Sequence, residues 1–246
     1  MEAMVTARGG AVTCNVHTIA CGGPGLVLPG CREPMVWDNS SNRLSPCMWY
    51  QQIFNYESAS RLREVLIYFH DDVTVHDPGW LPQLLAPFEN PNVAIVGLGG
   101  ATALGHPDLY KRPYQLSDMA RRGYASNQTD WSVHGDHLLG PKRVAVLDAF
   151  CMAVRRDFLA ECGGWPVGHL SHHCLDLWLA CEAARRGKET WAVPVSCTHH
   201  GGGSSTKPAY AQAKWLQGGG LESDHQLPHR WLYDEYSDVL PLEVPA

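Results

Sequence analysis

The sequence predicts an α/β fold: a Rossmann-like, mostly parallel central sheet flanked by helices. Three observations predict it. Short apolar runs alternate with helical segments through the first half of the chain, the order that builds a largely parallel sheet. Val65–Phe69 reads VLIYF, a continuous apolar run bounded by charge, as a strand buried on both faces requires. The chain has 246 residues, 45% of them hydrophobic and 18% charged, enough to bury a sizeable core.

The elements follow in order. Val12–Ile19 reads as a first strand and Cys21–Gly30 as a Gly/Pro-rich loop. Pro34–Trp37 is a short second strand, ending in Asp38-Asn39-Ser40-Ser41-Asn42, which is turn chemistry. Pro46–Arg63 suits a helix, and the strand Val65–Phe69 then stops at His70-Asp71-Asp72. Pro78–Phe88 suits a helix with Asp77 as its N-cap and Pro78 in its first position. Val93–Val96 is a strand closed by Gly97, Gly99 and Gly100. Ala101–Gly140 is polar with no clean period and is expected to be an irregular, mobile loop region on the acceptor side. Val144–Val154 resumes apolar character, and Arg156–Cys162 suits a short helix ending at Gly163-Gly164. Leu175–Arg186 is the clearest helix, with Leu175, Leu179 and Ala183 on one face and Gly187 as C-cap. Trp191–Val195 is a last strand, and residues 206–246 form a C-terminal extension that wraps a single domain spanning residues 1–246.

Composition excludes several classes. The apolar content and a net charge of -6 argue against disorder and against a whole-surface interaction with nucleic acid. No run of 18 apolar residues exists, so no membrane helix is expected. The N-terminal MEAMVTARGG has no apolar h-region, so a cytoplasmic protein is expected. The nine cysteines fit reduced thiols, with Cys151 and Cys181 in core positions. No C-x2-C pair supports a zinc knuckle, although Cys14, Cys21 and Cys31 leave a metal reading open.

Three polar clusters directly follow apolar strands: Asp38-Asn39, His70-Asp71-Asp72 and His199-His200. In open α/β sheets ligands bind beyond the carboxyl ends of the strands. Oxygen and imidazole donors from separate strand ends suit Mn²⁺ or Mg²⁺, with a diphosphate completing the shell. The plainer alternative is that Asp71 and Asp72 cap the next segment and that Asp38 forms a turn.

The blocks together resemble the family 2-like glycosyltransferases of the GT-A fold. VLIYFHDDVTVHDPGWLPQLLAPFENPNVAIVG is similar to the family's central block, a strand running into an Asp-x-Asp-type motif and a Gly-Trp-Leu helix start. MVWDNSSN resembles its second strand, AFCMAVRRDFLAECGGW its acceptor-side block, CLDLWLACEAARRGKETWAVP its catalytic-acid helix, and SCTHHGGGSS its C-terminal His loop. The resemblance implies a metal-dependent inverting transfer from a nucleotide-diphosphate sugar to an acceptor hydroxyl. It implies that Asp38 and Asn39, with Asp71, contact the nucleotide donor. It places Asp72 on the divalent metal, with His70 in the place of the first Asp of the motif, and His199 completes the shell with His200 an equally near substitute.

The sequence departs from the family at the general base. Cys174 stands where the family has an acid, so Asp176, His173 and His172 are the candidates. Cys174 is also the feature that favours an inactive nucleotide-sugar- or sugar-binding module on the same fold. Small soluble enzymes resembling this one occur in phages, some glycosylating hydroxymethylated pyrimidines in DNA. A modified DNA base such as 5-hydroxymethylcytosine is therefore one expected acceptor; a saccharide or other small molecule is the alternative. The basic pairs Lys111-Arg112, Arg121-Arg122 and Lys142-Arg143 are the phosphate-contacting candidates for the DNA reading, with a solvated surface as the plainer one.

Overall fold

The computed structural model describes residues 4–7, 10–30, 34–41, 44–60, 64–105, 121–129, 135–201 and 223–244. Lys111, Arg112, Cys31 and Gly202–Ser205 lie outside them. The chain runs β1 (Met4–Ala7), β2 (Gly10–Ala20), β3 (Met35–Asp38), α1 (Pro46–Ser60), β4 (Val65–Phe69), β5 (Val73–Val75), α2 (Trp80–Leu85) and a 3-10 turn (Ala86–Glu89). It continues with β6 (Val93–Gly97), β7 (Gly99–Leu104), β8 (Arg121–Ser126), β9 (Lys142–Val144), β10 (Val146–Leu147) and β11 (Cys151–Arg155). Last come α3 (Arg156–Glu161), α4 (Leu175–Arg185), β12 (Glu189–Ala192), β13 (Cys197–His199), α5 (Ser223–Glu235) and β14 (Leu242–Glu243).

The main sheet has the order β1-β2-β4-β11-β6-β12-β9, with β3 also on β2. The strands β3, β2, β4, β6 and β12 run in one direction, and β1, β11 and β9 oppose them. β4 shows why both faces must be covered. Its side chains alternate, so Leu66 and Tyr68 enter one core while Val65, Ile67 and Phe69 enter the other. On the first face α1 presents Cys47, Tyr50, Ile53 and Phe54 at helical spacing. Ser45 caps that helix by accepting from the Met48 N–H at 3.3 Å, with Pro46 in the first position. On the second face α2 buries Trp80, Leu81, Leu84 and Leu85. Each fully buried Leu, Ile or Phe contributes about 1.5–3 kcal/mol relative to exposure.

Four segments depart from the sequence expectation. Trp191–Val195 is not the last strand: β12 spans Glu189–Ala192, and β13 and β14 follow it. Ala101–Gly140 is not wholly irregular, because β7 and β8 pair antiparallel within it. With β10 and β14 they make a second, four-stranded sheet. The apolar period was masked by small residues that close packing demands: a Cβ on Gly100 would lie 2.6 Å from the Val146 carbonyl oxygen. Asp77 does not cap α2, which starts after Gly79; its carboxylate instead accepts from the Gly79 N–H at 2.7 Å. Val144–Val154 divides into β9, β10 and β11, which serve two different sheets.

The described part of the C-terminal extension packs against the domain. Leu232, Tyr233 and Tyr236 are buried in the first core, and β14 pairs with β7. Tyr236 donates its hydroxyl to buried Glu182 of α4 at 2.5 Å. Arg185 of α4 reaches Asp238 at 2.7 Å and Glu235 at 3.1 Å. The eight described cysteines are all free thiols, and burial pushes Cys47 up to about 12. Among the described residues no helix is long and apolar enough to cross a membrane.

Leu232→Ala should therefore cost about 2–5 kcal/mol of stability, as expected for a fully buried leucine. Urea unfolding followed by far-UV circular dichroism measures it; a midpoint unchanged from the parent would show that α5 does not share the core.

Candidate active site

The main site grows from the end of β4. His70 leaves the strand with its N–H donated to the Phe150 carbonyl at 3.0 Å, and the chain turns at Asp71-Asp72 into β5. β13 pairs antiparallel with β5, and His199 stands opposite Val73. That register carries His199 to Asp72: its Nε2 is 3.3 Å from Asp72 Oδ1 and 3.4 Å from His70 Nδ1. His70 Nδ1 is 4.0 Å from the same carboxylate oxygen. Phe150 holds the His199 ring by stacking at 5.0 Å between centroids.

These residues fit a divalent metal. Their donor atoms all lie within 4.8 Å of one another. The separations suit donors sharing one ion at about 2.0–2.3 Å each. Asp72 Oδ1 is buried and faces both imidazoles. Burial and the neighbouring His199 hold His70 below its ordinary pKa, which favours the neutral, ligating imidazole. Burial opposes ionisation of Asp72, but the His199 bond and the two imidazoles bring its carboxyl below the usual value.

The other expected residues separate from this trio. His200 turns away: its ring nitrogen is 3.2 Å from Thr74 Oγ1, and its N–H is donated to the Asp72 carbonyl. Asp71 lines the same cleft, but its Oδ2 accepts the N–H groups of Cys21 at 2.7 Å and Gly23 at 2.9 Å. It organises the loop after β2, and a Cβ on Gly23 would collide with it at 2.9 Å. Asp38 is exposed and accepts from the Ser40 N–H, which lowers its pKa. Asn39 is buried and spans the turn, bonding Leu44 through both its amide oxygen and its amide nitrogen. Neither Asp38 nor Asn39 lines the cleft.

The cleft, about 420 Å³, continues from the trio to the start of α4. His172, His173 and Cys174 line it, followed by Asp176. Cys174 caps α4 in the left-handed region, φ 67°, a conformation costing a non-glycine residue about 1–3 kcal/mol. Asp176 lies in the first turn, where the helix dipole favours its charge. It is buried; Oδ1 accepts the Leu177 N–H at 3.0 Å and Oδ2 meets the Arg121 guanidinium. Burial pushes the Asp176 carboxyl up, with Arg121 pulling the other way.

Sequence reasoning missed several participants. Arg121, from β8, also reaches Asp148 at 3.6 Å, and Tyr124 donates its hydroxyl to Asp148 at 3.0 Å. Asp148 had a signal, as the one charge within Val144–Val154. Arg121 stood out only as half of a basic pair, and nothing tied it to Asp176 because its strand was hidden. His229, on α5, also lines the cleft from far along the chain.

The family described as glycosyltransferase like family 2 matches residues 48–216, more than half of the chain. The chain belongs to this family. Two solved structures extend the comparison of this family 2-like glycosyltransferase domain. The crystal structure of GalNAc-T7 with UDP, GalNAc and Mn²⁺ aligns at TM-score 0.50 and 13% identity, covering 95% of this chain and 58% of that one. This chain therefore spans little more than half of the GalNAc-T7 chain, and the likeness shows the shared GT-A fold. The crystal structure of A197 from STIV aligns at TM-score 0.47 and 13% identity, covering 76% of this chain and 84% of that one. No curated protein matches the sequence significantly.

The geometry around Asp72 sets an expected outcome. Asp72→Ala should remove Mn²⁺ binding measured by calorimetric titration of the metal alone, while His200→Ala should retain it. Parent-like affinity in Asp72→Ala would reject the trio as a metal site.

Proposed function

We propose that this domain is a metal-dependent inverting glycosyltransferase. It takes a nucleotide-diphosphate sugar as donor and a hydroxyl as acceptor. The observation that carries the reading is a single cleft with the His70-Asp72-His199 trio at one end and Asp176 at the other. A divalent metal bound at the trio supplies Lewis-acid neutralisation of the departing diphosphate, a role for which Mn²⁺ is the first candidate. GalNAc-T7, which shares the fold, was crystallised with UDP and Mn²⁺.

In the proposed reaction Asp176 accepts the proton of the acceptor hydroxyl as that oxygen bonds to the sugar carbon. The bond from that carbon to the diphosphate breaks, and its electron pair leaves with the nucleotide. Inversion follows from family resemblance to direct displacement. A carboxyl raised by burial suits a base working near neutral pH. Cys174 is not assigned the role, because it forms the N-cap of α4 while the Asp176 carboxylate lines the same cleft. His173 lines the same cleft and is the competing base.

For the acceptor we favour a small polyhydroxylated molecule over DNA. The cleft carries Asp71, Asp72, Asp148 and Asp176 against Arg121. Two of the other basic residues suggested for phosphate contact are in ion pairs: Arg122 with Glu243 and Arg143 with Glu189, each at 3.6 Å. Modified DNA stays an outcome of the acceptor screen.

The first experiment is a thermal-shift screen of nucleotide sugars with and without Mn²⁺; a metal-dependent stabilisation by one donor is expected. No shift with any donor would reject the donor reading. Once a donor is known, Asp176→Asn should lose about 100- to 10,000-fold in transfer rate with donor affinity kept. Cys174→Ser should keep most activity. Near-normal turnover in Asp176→Asn, with a large loss in His173→Ala, would move the base to His173.

A further inference from the structure

We propose that Arg121 is the positioning residue of the acceptor side: bridged between Asp148 and Asp176, it aims the Asp176 carboxylate into the cleft. The inference rests on the reading of Asp176 as the base, and it assigns a role to a residue outside the family motifs quoted above.

The geometry is specific to an arginine. A guanidinium presents donors in a fixed planar fork, and here Nη2 engages Asp176 while Nη1 faces Asp148 at 3.6 Å. The order of burial matters. The Asp176 side chain is 5% exposed, whereas those of Arg121 and Asp148 are each 29% exposed. Arg121 and Asp148 therefore form the more open layer over the buried carboxylate, and an acceptor hydroxyl meets Asp176 beside them. One Asp176 oxygen is fixed by the Leu177 N–H and the other by Arg121, so the carboxylate plane is set from two sides. Asp148 is in turn held by the Tyr124 hydroxyl. β8 thus carries both Arg121 and Tyr124, and one strand orients the whole acid pair.

The groups facing this cluster come from several elements. β8 contributes Arg121 and Tyr124, the turn after β10 Asp148, and the start of α4 Cys174 and Asp176. His70 at the end of β4 and Tyr50 on α1 also sense the Asp176 charge. Arg121 is the cation that touches Asp176. Removing it leaves a buried carboxylate beside Asp148, and like charge together with burial disfavours ionisation.

The test compares Arg121→Met, Arg121→Lys and the parent. The Asp176 carboxyl is followed by ¹³C NMR in the ligand-free protein, assigned with Asp176→Asn. In Arg121→Met the Asp176 midpoint should rise by about 1–3 pH units. Arg121→Lys should restore most of that, because the positive charge remains. Donor turnover, with water or an identified acceptor, should show its acidic limb moved upward in Arg121→Met. Its rate should fall about 100-fold, the scale of a misplaced reacting group. Mn²⁺-dependent donor affinity should stay at the parent value. An unchanged midpoint and an unchanged pH profile in a folded Arg121→Met would overturn the proposal. If Arg121→Met does not fold, Arg121→Lys decides: charge without the fork should keep the midpoint and lower turnover, and parent-like turnover would overturn the proposal. Absence of donor binding in the parent would reject the glycosyltransferase reading instead, while the NMR midpoint would still report whether Arg121 governs Asp176.

Discussion

Burial of β4 on both faces is the constraint from which the rest of the structure follows. Every residue of Val65–Phe69 is buried, so the strand has no room for a polar side chain along its length. The first place where polar groups can meet solvent is its carboxyl end, and His70, Asp71 and Asp72 occupy it. Covering both faces requires α1 and α4 on one side and α2 on the other. The start of α4 is thereby brought to the same edge, and the His70-Asp72-His199 trio and Asp176 come to share a cleft.

The second constraint is that charge enters the cores only with a partner. Asp176 has Arg121, and Glu182 has Arg186 and the Tyr236 hydroxyl. Glu57 lies 3.2 Å from His17, whose other ring nitrogen accepts the Trp37 indole N–H. An unpaired buried charge would cost several kcal/mol, and the Arg121–Asp176 and Tyr236–Glu182 pairings tie distant segments together. Glu182 secures the C-terminal helix to α4, and Asp176 secures β8 to the start of α4. The element that stabilises α4 on one side and the element that orients its acid on the other are therefore both recruited by buried carboxylates.

What was legible in the sequence had a local cause. β4 and its polar end were readable because a continuous apolar run and an abrupt switch to charge are adjacent in the chain. α4 was readable from Leu175, Leu179 and Ala183 and from Gly187, which ends it at φ 63°. The Asp72–His199 meeting was readable only through family resemblance, since it depends on the register of β5 and β13. The Arg121–Asp176 meeting was unreadable: the two lie 55 residues apart, and the strand of Arg121 pairs with β7, rich in glycine and alanine and without an apolar period. Asp71 and Asn39 carry structural bonds that their residue types did not announce: Asn39 bonds Leu44 five residues on, as Asx side chains commonly do near turns, and Asp71 accepts the Cys21 and Gly23 N–H groups from across the sheet.

The difference between those two outcomes has a physical basis. Asn39 finds its backbone partner five residues on, whereas Asp71 meets the amides of the loop after β2 only once the strands β2 and β4 are paired. At the end of β4 the backbone is fixed by the His70 N–H donated to the Phe150 carbonyl and by the Asp72 carbonyl accepting the His200 N–H. Asp72 Oδ1 is then left facing imidazoles rather than amides. Imidazole in its neutral form offers a lone pair to a cation, where a backbone amide offers a proton. The same short motif thus divides by partner. Asp71, which finds amides, shapes the loop after β2, and Asp72, which finds imidazoles, keeps the donor character that a metal requires.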